Sequence, residues 1–214
     1  MQQSVSNSSL IVSMNPKSPI SEVYRVLRTK IHFASKDREL KTIMITSTQA
    51  GEGKTTTVSN LAVTYALEGK RVLLIDADMR NPSLHLVFSQ SNHQGLSTFL
   101  TGETSIQDLI QETIVGYLAL LPSGPIPANS SELMDSVVMR ELLEQLKPQY
   151  DVILIDTPSV LSVSDSVIVS ALCDGVVMIV AAGKVRKDQL KKAKEQLDHV
   201  NARMLGIVIN QEVK

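Results

Sequence analysis

The chain has 214 residues, 43% of them hydrophobic and 20% charged, with 21 Lys and Arg balanced by 22 Asp and Glu. This composition excludes intrinsic disorder and a coiled coil, and a net charge of -1 provides no general basic field for binding nucleic acid. Because there is one cysteine and no apolar run of about 18 residues, neither a disulfide framework nor a membrane-spanning segment is expected. We therefore expect a single cytoplasmic α/β domain without a nucleic-acid partner.

The first part of the chain contains two Xaa-Pro pairs and no sustained apolar period. This pattern predicts a flexible arm over residues 1–19 that ends in a turn. A helix is predicted next, capped by Ser21 and continuing to about Ala34, because apolar side chains recur there every four residues. Another face of this helix displays three charged residues, Glu22, Arg25 and Arg28. On spacing alone, such charges are typical of a solvent-exposed helix face.

From Lys41 onward, short apolar runs alternate with helical stretches, which is typical of repeated βαβ units. Strands are predicted at Thr42 to Ser47, Val72 to Asp76, Leu118 to Pro122, Val152 to Asp156, Gly175 to Ala181 and Leu205 to Asn210. Helices are predicted at Val58 to Ala66, where Gly69 ends the stretch, at Ser131 to Leu146 and at Lys187 to Val200. We predict a doubly wound α/β fold with a mainly parallel sheet and helices on both faces, forming a single domain over residues 20–214.

A glycine-rich loop joins the first predicted strand to the following helix. It has the sequence Gly51-Glu52-Gly53-Lys54-Thr55-Thr56. Glycines let several backbone N–H groups converge on phosphate oxygens, and the helix N-terminus adds its positive dipole end. In such a P-loop, Lys54 reaches the β- and γ-phosphates and the Thr55 hydroxyl binds Mg²⁺. The loop therefore predicts a nucleotide-binding site.

This P-loop departs from the usual pattern in one respect, since Thr48 stands where the first glycine is expected. The chain thereby resembles the deviant P-loop ATPase superfamily. Its septum-positioning, plasmid-partitioning and nitrogenase-iron-protein members carry a signature lysine five residues before the P-loop lysine. Gln49 occupies that position here.

Carboxylates follow two of the predicted strands. Asp76 ends the second strand, with Asp78 two residues beyond it, so in an extended segment both point toward one metal ion or one proton. Asp156 ends a later apolar strand, as the Walker B carboxylate does when it binds the hydration shell of Mg²⁺. Asp165 is a weaker candidate, for which an ordinary helix cap is the alternative. Because ligand sites of parallel sheets lie at the carboxyl ends of strands, these motifs are expected to meet.

Taken together, the motifs T-x-x-x-G-E-G-K-T-T, L-L-I-D-A-D-M-R-x-P and I-L-I-D-T-P resemble those of the bacterial tyrosine kinases, or BY-kinases. The segment from Glu22 to Arg28 matches the family's E-x-x-R-x-x-R segment. The segment from Ser123 to Leu133 is similar to S-G-x-x-P-P-N-P-x-E-L, with Ala128 and Ser130 in place of two prolines. The resemblance covers about residues 16 to 210.

The resemblance implies a kinase that transfers the γ-phosphate of ATP to tyrosine on itself and on other proteins, and that regulates capsule or exopolysaccharide synthesis. Mg²⁺ is the implied metal, with ATP as co-substrate. Asp76 falls at the position of the family's catalytic base and metal ligand, supported by Asp78. Asn210 resembles the adenine-contacting position of the superfamily, with capping of a strand end as the alternative.

The resemblance also implies partners. A separate cytosolic kinase of this type is activated by the cytoplasmic tail of a membrane-anchored protein, so the chain would reach the membrane through that activator. The expected substrates are proteins of polysaccharide synthesis. Contacts through Glu22, Arg25 and Arg28 would assemble kinase domains into a homo-oligomeric ring.

One departure from the family and two other functions remain open. The sequence has no tyrosine cluster, and its four tyrosines, Tyr24, Tyr65, Tyr117 and Tyr150, are isolated at positions that favour packing. The main alternative is a partitioning-type ATPase that hydrolyses ATP without phosphorylating protein, against which Gln49 argues. The other alternative is an inactive nucleotide-binding scaffold, against which the intact Lys54, Thr55 and carboxylates argue.

Overall fold

The computed structural model describes residues 10–34, 39–102 and 104–211. The strands are β1 (Thr42–Ser47), β2 (Val72–Asp76), β3 (Gln111–Glu112), β4 (Leu118–Leu121), β5 (Val152–Asp156), β6 (Gly175–Ala181) and β7 (Met204–Asn210). The helices are α1 (Ile11–Met14), α2 (Pro19–Phe33), α3 (Lys54–Ala66), α4 (Leu84–Val87), α5 (Leu96–Leu100), α6 (Ile106–Leu109), α7 (Ser130–Asp135), α8 (Val137–Leu146), α9 (Asp165–Ser170) and α10 (Lys187–His199).

The strands form one seven-stranded sheet in the order β3-β4-β2-β5-β1-β6-β7. Every pairing is parallel except that of β3 with β4, which is antiparallel. The chain runs from β1 outward to β4, returns through β5 and then crosses to β6 on the other side of β1. This winding in two directions from a central strand confirms the predicted doubly wound fold.

Apolar side chains cover both faces of the sheet, because successive residues of a strand point to opposite sides. On one face, Ile43 and Ile45 of β1 belong to the same buried cluster as Leu61 of α3. On the other face, Met44 belongs to a second cluster with Leu143 of α8. The fully buried strands explain why their sequences are continuous apolar runs, and they hold the P-loop helix α3 firmly against the sheet.

The N-terminal region differs from the predicted arm. Val12 in α1 is fully buried, and its backbone N–H donates to Asn60 Oδ1 of α3 at 3.0 Å. Ser18, and not the predicted Ser21, caps α2, because the Ser21 N–H donates to Ser18 Oγ at 3.1 Å. Residues 1–9 lie outside the described residues. Within the described part of the predicted arm, α1 is thus packed on α3, whereas residues 14–17 are exposed.

Further elements differ from the prediction, among them the short helices α4, α5, α6 and α9, which were not predicted. The single helix predicted from Ser131 to Leu146 consists of α7 and α8, separated at Ser136. Ser136 has an extended backbone and its hydroxyl accepts the Met139 N–H at 3.2 Å, so it ends one helix and caps the next. The two-residue strand β3 was not predicted. Gly69 has the left-handed conformation expected after α3, with φ +81°.

Candidate functional site

The P-loop connects β1 to α3 through two left-handed glycines, Gly51 at φ +80° and Gly53 at φ +88°. These conformations are open to glycine and strained for other residues. Gly53 also leaves room for the β7 strand end, since a Cβ there would lie 2.2 Å from Asn210 Nδ2. Helix α3 starts at Lys54, so its free N–H groups face the loop as in an anion-binding site.

The Glu52 side chain points into the protein and anchors the loop. Its Oε2 accepts hydrogen bonds from Thr48 Oγ1 at 2.7 Å and from the Gln49 N–H at 2.8 Å. Its Oε1 accepts the Ala181 N–H at 3.0 Å, at the end of β6. These bonds give Thr48, the residue that replaces the usual first glycine, a structural role. Glu52, predicted as a nucleotide-binding residue, contributes its backbone to the loop and its side chain to the loop's attachment.

Asp76 and Asp156 lie side by side at the carboxyl ends of β2 and β5, where they are direct partners in the parallel register. Both are buried, at 0% and 1% exposure. Asp76 Oδ2 accepts the N–H groups of Ser83 and Leu84, both at 3.0 Å. Asp156 Oδ2 accepts the Thr55 hydroxyl at 2.7 Å, which joins the carboxylate pair to the P-loop. The three predicted metal-binding residues are therefore together.

Burial raises the pKa of both carboxyl groups. It raises the pKa of Asp76 to about 8, with the neighbouring Asp156 adding to the effect. It raises the pKa of Asp156 to about 7, while the Lys54 ammonium and the Thr55 hydroxyl act in the opposite direction. Within the described chain, Asp156 Oδ1 is buried and has no hydrogen-bond partner. Two adjacent carboxylates with a free buried oxygen fit a hard divalent cation such as Mg²⁺.

Asp78 is placed differently from Asp76. It is partly exposed, and its Oδ1 accepts the Asn81 N–H at 3.1 Å within its own loop. Its backbone N–H in turn donates to Asp76 Oδ1 at 3.2 Å. Burial raises the pKa of Asp78, and the nearby Lys54 ammonium partly opposes that rise. Asp78 therefore lies at the mouth of the site and orients the buried carboxylate below it.

Asp165 does not cap a helix, which was the alternative role that its sequence context left open. Its buried carboxylate pairs with Arg80, whose Nε lies 3.1 Å from Oδ2 and whose Nη2 lies 3.2 Å from Oδ1. The hydroxyls of Ser130 and Ser131 also donate to it, at 3.0 and 2.5 Å. Burial alone would raise the pKa of Asp165, but these donors hold it below its usual value. The cluster ties the Asp78 loop to α7 and α9.

Ser83 was not predicted as a site residue. Its Oγ lies 3.2 Å from Thr55 Oγ1, and its N–H binds Asp76. No sequence motif points to it, because it reaches the P-loop only through the conformation of the segment after β2. The site therefore includes one hydroxyl more than the motifs predict.

The end of β7 lies against the P-loop. Asn210 Nδ2 donates to the Glu52 carbonyl at 2.9 Å, and Gln211 Nε2 donates to the Gly51 carbonyl at 3.2 Å. Thr56, in the first turn of α3, is exposed. The structure thus brings Asn210 to the nucleotide loop, where its amide binds the backbone.

The residues predicted to mediate assembly lie on α2, which packs against the P-loop helix α3. Glu22 and Arg25 form an ion pair of 2.7 Å, with side chains 63% and 36% exposed. Arg25 also donates to the Pro16 carbonyl. Arg28 is used within the chain, since it donates to the Thr64 carbonyl at 3.2 Å and pairs with Glu68 at 3.2 Å. Of the three side chains, Glu22 and Arg25 are accessible to a neighbour.

In the part of the chain that the structure describes, no helix is both long and apolar enough to cross a membrane. The described helices instead pack on the sheet or carry charged faces.

Comparisons with known proteins show the family to which the chain is related. A family model described as an AAA domain matches residues 40–207. The tyrosine-protein kinase YwqD of Bacillus subtilis (strain 168) is 44% identical over 201 residues, which cover 94% of this chain and 85% of YwqD.

Two solved structures are similar over nearly the whole chain. The crystal structure of the chimerical protein CapA2B2 has a TM-score of 0.93 and 42% identity, covering 97% of this chain and 91% of that one. The kinase domain of the Escherichia coli tyrosine kinase ETK has a TM-score of 0.90 and 32% identity, covering 96% and 82%. The resemblance inferred from the motifs is confirmed, and with its nucleotide-binding P-loop the chain belongs to the bacterial tyrosine kinase family.

Proposed function

We propose that this chain is a protein-tyrosine kinase that uses Mg-ATP at the carboxyl edge of its sheet. The observation that carries the proposal is the convergence of two buried carboxylates, Asp76 and Asp156, with Thr55 and Lys54 of the P-loop. A cation-binding carboxylate pair beside a phosphate-binding loop is the arrangement that phosphoryl transfer requires.

In the proposed mechanism, the P-loop N–H groups and Lys54 bind the β- and γ-phosphates and stabilise the negative charge that develops during transfer. Asp76 accepts the proton of the acceptor tyrosine as its oxygen attacks the γ-phosphorus. Asp78 orients Asp76 through the hydrogen bond from its backbone N–H. The buried position of Asp76 keeps water away from the reacting oxygen.

Thr55, Asp76 and Asp156 are proposed to hold the Mg²⁺ ion, which when bound neutralises phosphate charge. The fit rests on the free Asp156 Oδ1 and on the two raised carboxyl pKa values. A divalent cation lets both carboxyl groups ionise, because its charge outweighs their mutual repulsion. Asn210 is proposed to lie beside the nucleotide, supported by its bond to the P-loop backbone.

The partners are proposed from the family resemblance. Activation by the cytoplasmic tail of a membrane-anchored protein would recruit this cytoplasmic kinase to the inner face of the membrane. Its substrates would then be proteins of capsule or exopolysaccharide synthesis. A homo-oligomeric ring is proposed through the exposed pair Glu22 and Arg25, with Arg28 supporting α2 from within the chain.

The test is phosphotyrosine mass spectrometry after incubation with Mg-ATP and a random copolymer of Glu and Tyr, with Lys54→Met as the control. We expect phosphotyrosine that depends on Lys54. Hydrolysis of ATP without phosphotyrosine, even after addition of a candidate activator tail, would instead favour the partitioning-type ATPase.

A further inference from the structure

The four tyrosines of the sequence differ sharply in accessibility. Tyr65 is 9% exposed, and burial raises its pKa to about 12. Tyr24 and Tyr150 pack against the two core clusters, and burial raises the pKa of each. Tyr117 is 68% exposed. The position of Tyr117 favoured packing in the sequence, but its side chain is exposed in the structure.

The loop between β3 and β4 presents the Tyr117 side chain on a fixed backbone. The Tyr117 carbonyl accepts the Val72 N–H at 2.8 Å. Within the loop, the Thr113 N–H donates to the Leu118 carbonyl and the Leu118 N–H to the Val115 carbonyl, both at 3.2 Å. The phenol therefore extends into solvent from a short, hydrogen-bonded turn.

The backbone of Tyr117 is in the left-handed region, with φ +66°. A bulky residue there is strained by about 1–2 kcal/mol relative to glycine. The preceding residue is a glycine, Gly116, yet it is not among the left-handed residues. The chain thus places a tyrosine where the backbone favours glycine, which is an unfavourable choice unless the exposed side chain has a use.

A positive charge stands near this loop. Arg71 lines the same surface cleft as Tyr117, and its side chain is 56% exposed and paired with Asp151 at 3.2 Å. An arginine beside a tyrosine can pair with a phosphate placed on that tyrosine. Glu112 also lines this cleft, so Arg71 is the group that would pair with a phosphate on Tyr117, in exchange for Asp151.

Tyr117 lies at the opposite end of the sheet from the active site. It directly precedes β4, whose Leu118 is in register with Val72 at the start of β2. Asp76 is at the other end of β2, four residues on, which corresponds to about 13 Å along the strand. Because the acceptor oxygen must touch the γ-phosphate, Tyr117 cannot be phosphorylated by the site of its own chain.

We infer that Tyr117 is a phosphorylation site that is modified by the active site of a second copy of this chain; this inference rests on the proposed kinase function. Tyr117 Oη forms a bond to the γ-phosphorus of ATP, while the bond from that phosphorus to the β,γ-bridging oxygen breaks. ADP leaves with the electron pair, and the phenolic proton passes to Asp76 of the second copy.

The test mixes the active chain with an acceptor chain that carries Lys54→Met and is labelled with ¹⁵N, in Mg-ATP. Mass spectrometry then separates peptides of the two chains. We expect phosphate on Tyr117 of the labelled chain, at least tenfold above that on any other tyrosine. The Tyr117→Phe change in the labelled chain should remove this signal, whereas the matched Tyr150→Phe change should leave it.

The Glu-Tyr copolymer in a parallel reaction separates failure of this inference from failure of the kinase proposal. Phosphate on the copolymer but not on Tyr117 would overturn the inference and leave the kinase function standing. The absence of phosphate from both the copolymer and Tyr117 would overturn the inference and the proposed kinase function together. Phosphate on Tyr117 of the active chain alone would overturn transfer between copies. Circular dichroism melting of Tyr117→Phe checks that this exposed substitution leaves the fold unchanged.

Discussion

The pair of buried carboxyl groups predicts that neutralising Asp156 stabilises the metal-free protein in a pH-dependent way. The native protein holds a proton on Asp156 up to about pH 7, whereas the unfolded chain releases it near the ordinary value of 3.8. The native state therefore binds more protons between these values, so the stability of the wild-type protein falls as pH rises through this window. An asparagine at this position does not titrate and avoids that loss.

The magnitude follows from the same pKa values. At pH 8 the rise from 3.8 to about 7 costs the wild-type fold about 4 kcal/mol, and at pH 5 it costs only about 2 kcal/mol. The asparagine NH₂ placed beside Asp76 has its own cost of about 1–3 kcal/mol, which is independent of pH. The Asp156→Asn change should therefore be nearly neutral or unfavourable at pH 5, and about 2–3 kcal/mol more favourable at pH 8 than at pH 5.

The assay is thermal unfolding in EDTA without nucleotide, followed by circular dichroism because the sequence contains no tryptophan. A difference of about 2–3 kcal/mol between the effects at pH 8 and pH 5 means that the Tm of Asp156→Asn relative to the wild type should be about 5–10 °C higher at pH 8 than at pH 5 for a domain of this size. The matched control is Asp165→Asn, which removes a buried carboxylate whose pKa is held low by Arg80. Its loss of stability should be the same at pH 5 and pH 8, since both lie above the titration of that carboxyl group.

Two results would refute this reasoning. An Asp156→Asn effect that is equal at pH 5 and pH 8 would mean that Asp156 is ionised normally in the native state. If Asp165→Asn also gained stability relative to the wild type between pH 5 and pH 8, the pH dependence would be a general property of the fold and not of the Asp76–Asp156 pair.

Other changes test the remaining parts of the site. Lys54→Met should lower the rate of phosphoryl transfer at least about 100-fold without lowering Tm, measured with the copolymer and by thermal melting. Arg28→Ala should lower the stability of the fold by about 1 kcal/mol, because it removes the ion pair with Glu68 and the hydrogen bond to the Thr64 carbonyl. Arg25→Ala should leave Tm unchanged and reduce the mass of the assembly in light scattering. Asn210→Ala should raise the Kd for ATP severalfold in calorimetry, and an unchanged Kd would remove Asn210 from the nucleotide site.

Much of the fold was predictable because the main strands are buried on both faces. Strands such as β2 and β5 are continuous apolar runs that end in a carboxylate, and this pattern can be recognised in the sequence without knowledge of the tertiary structure. Strand β3 has only two residues and α4 only four, so neither has a length over which a period can be recognised. The division between α7 and α8 depends on Ser136 acting as a cap. In the sequence, such a serine looks the same as one that is tolerated within a longer helix.

Site residues could be predicted where they belong to a local sequence motif, and not where their role depends on contacts with residues distant in the sequence. Asp76 and Asp156 were located by the rule that ligand sites form at strand ends, which does not require knowing the loops. The role of Asp165 was left open between a weaker site candidate and a helix cap, because its partner Arg80 is 85 residues away. Ser83 was missed for the same reason, since its contact with Thr55 spans 28 residues and depends on how the segment after β2 folds.

The opposite locations of Tyr117 and Asp76 constrain how copies of the chain can meet. A copy that offers Tyr117 to the Asp76 of a neighbour uses the amino edge of its sheet, and its own Asp76, at the carboxyl edge, remains open to a third copy. Contacts of this kind join different surfaces of the two partners, so they close into a ring or continue as a filament. The ring proposed through Glu22 and Arg25 and the phosphorylation of Tyr117 inferred between copies would be compatible with one another if the interface joins unlike surfaces in one direction.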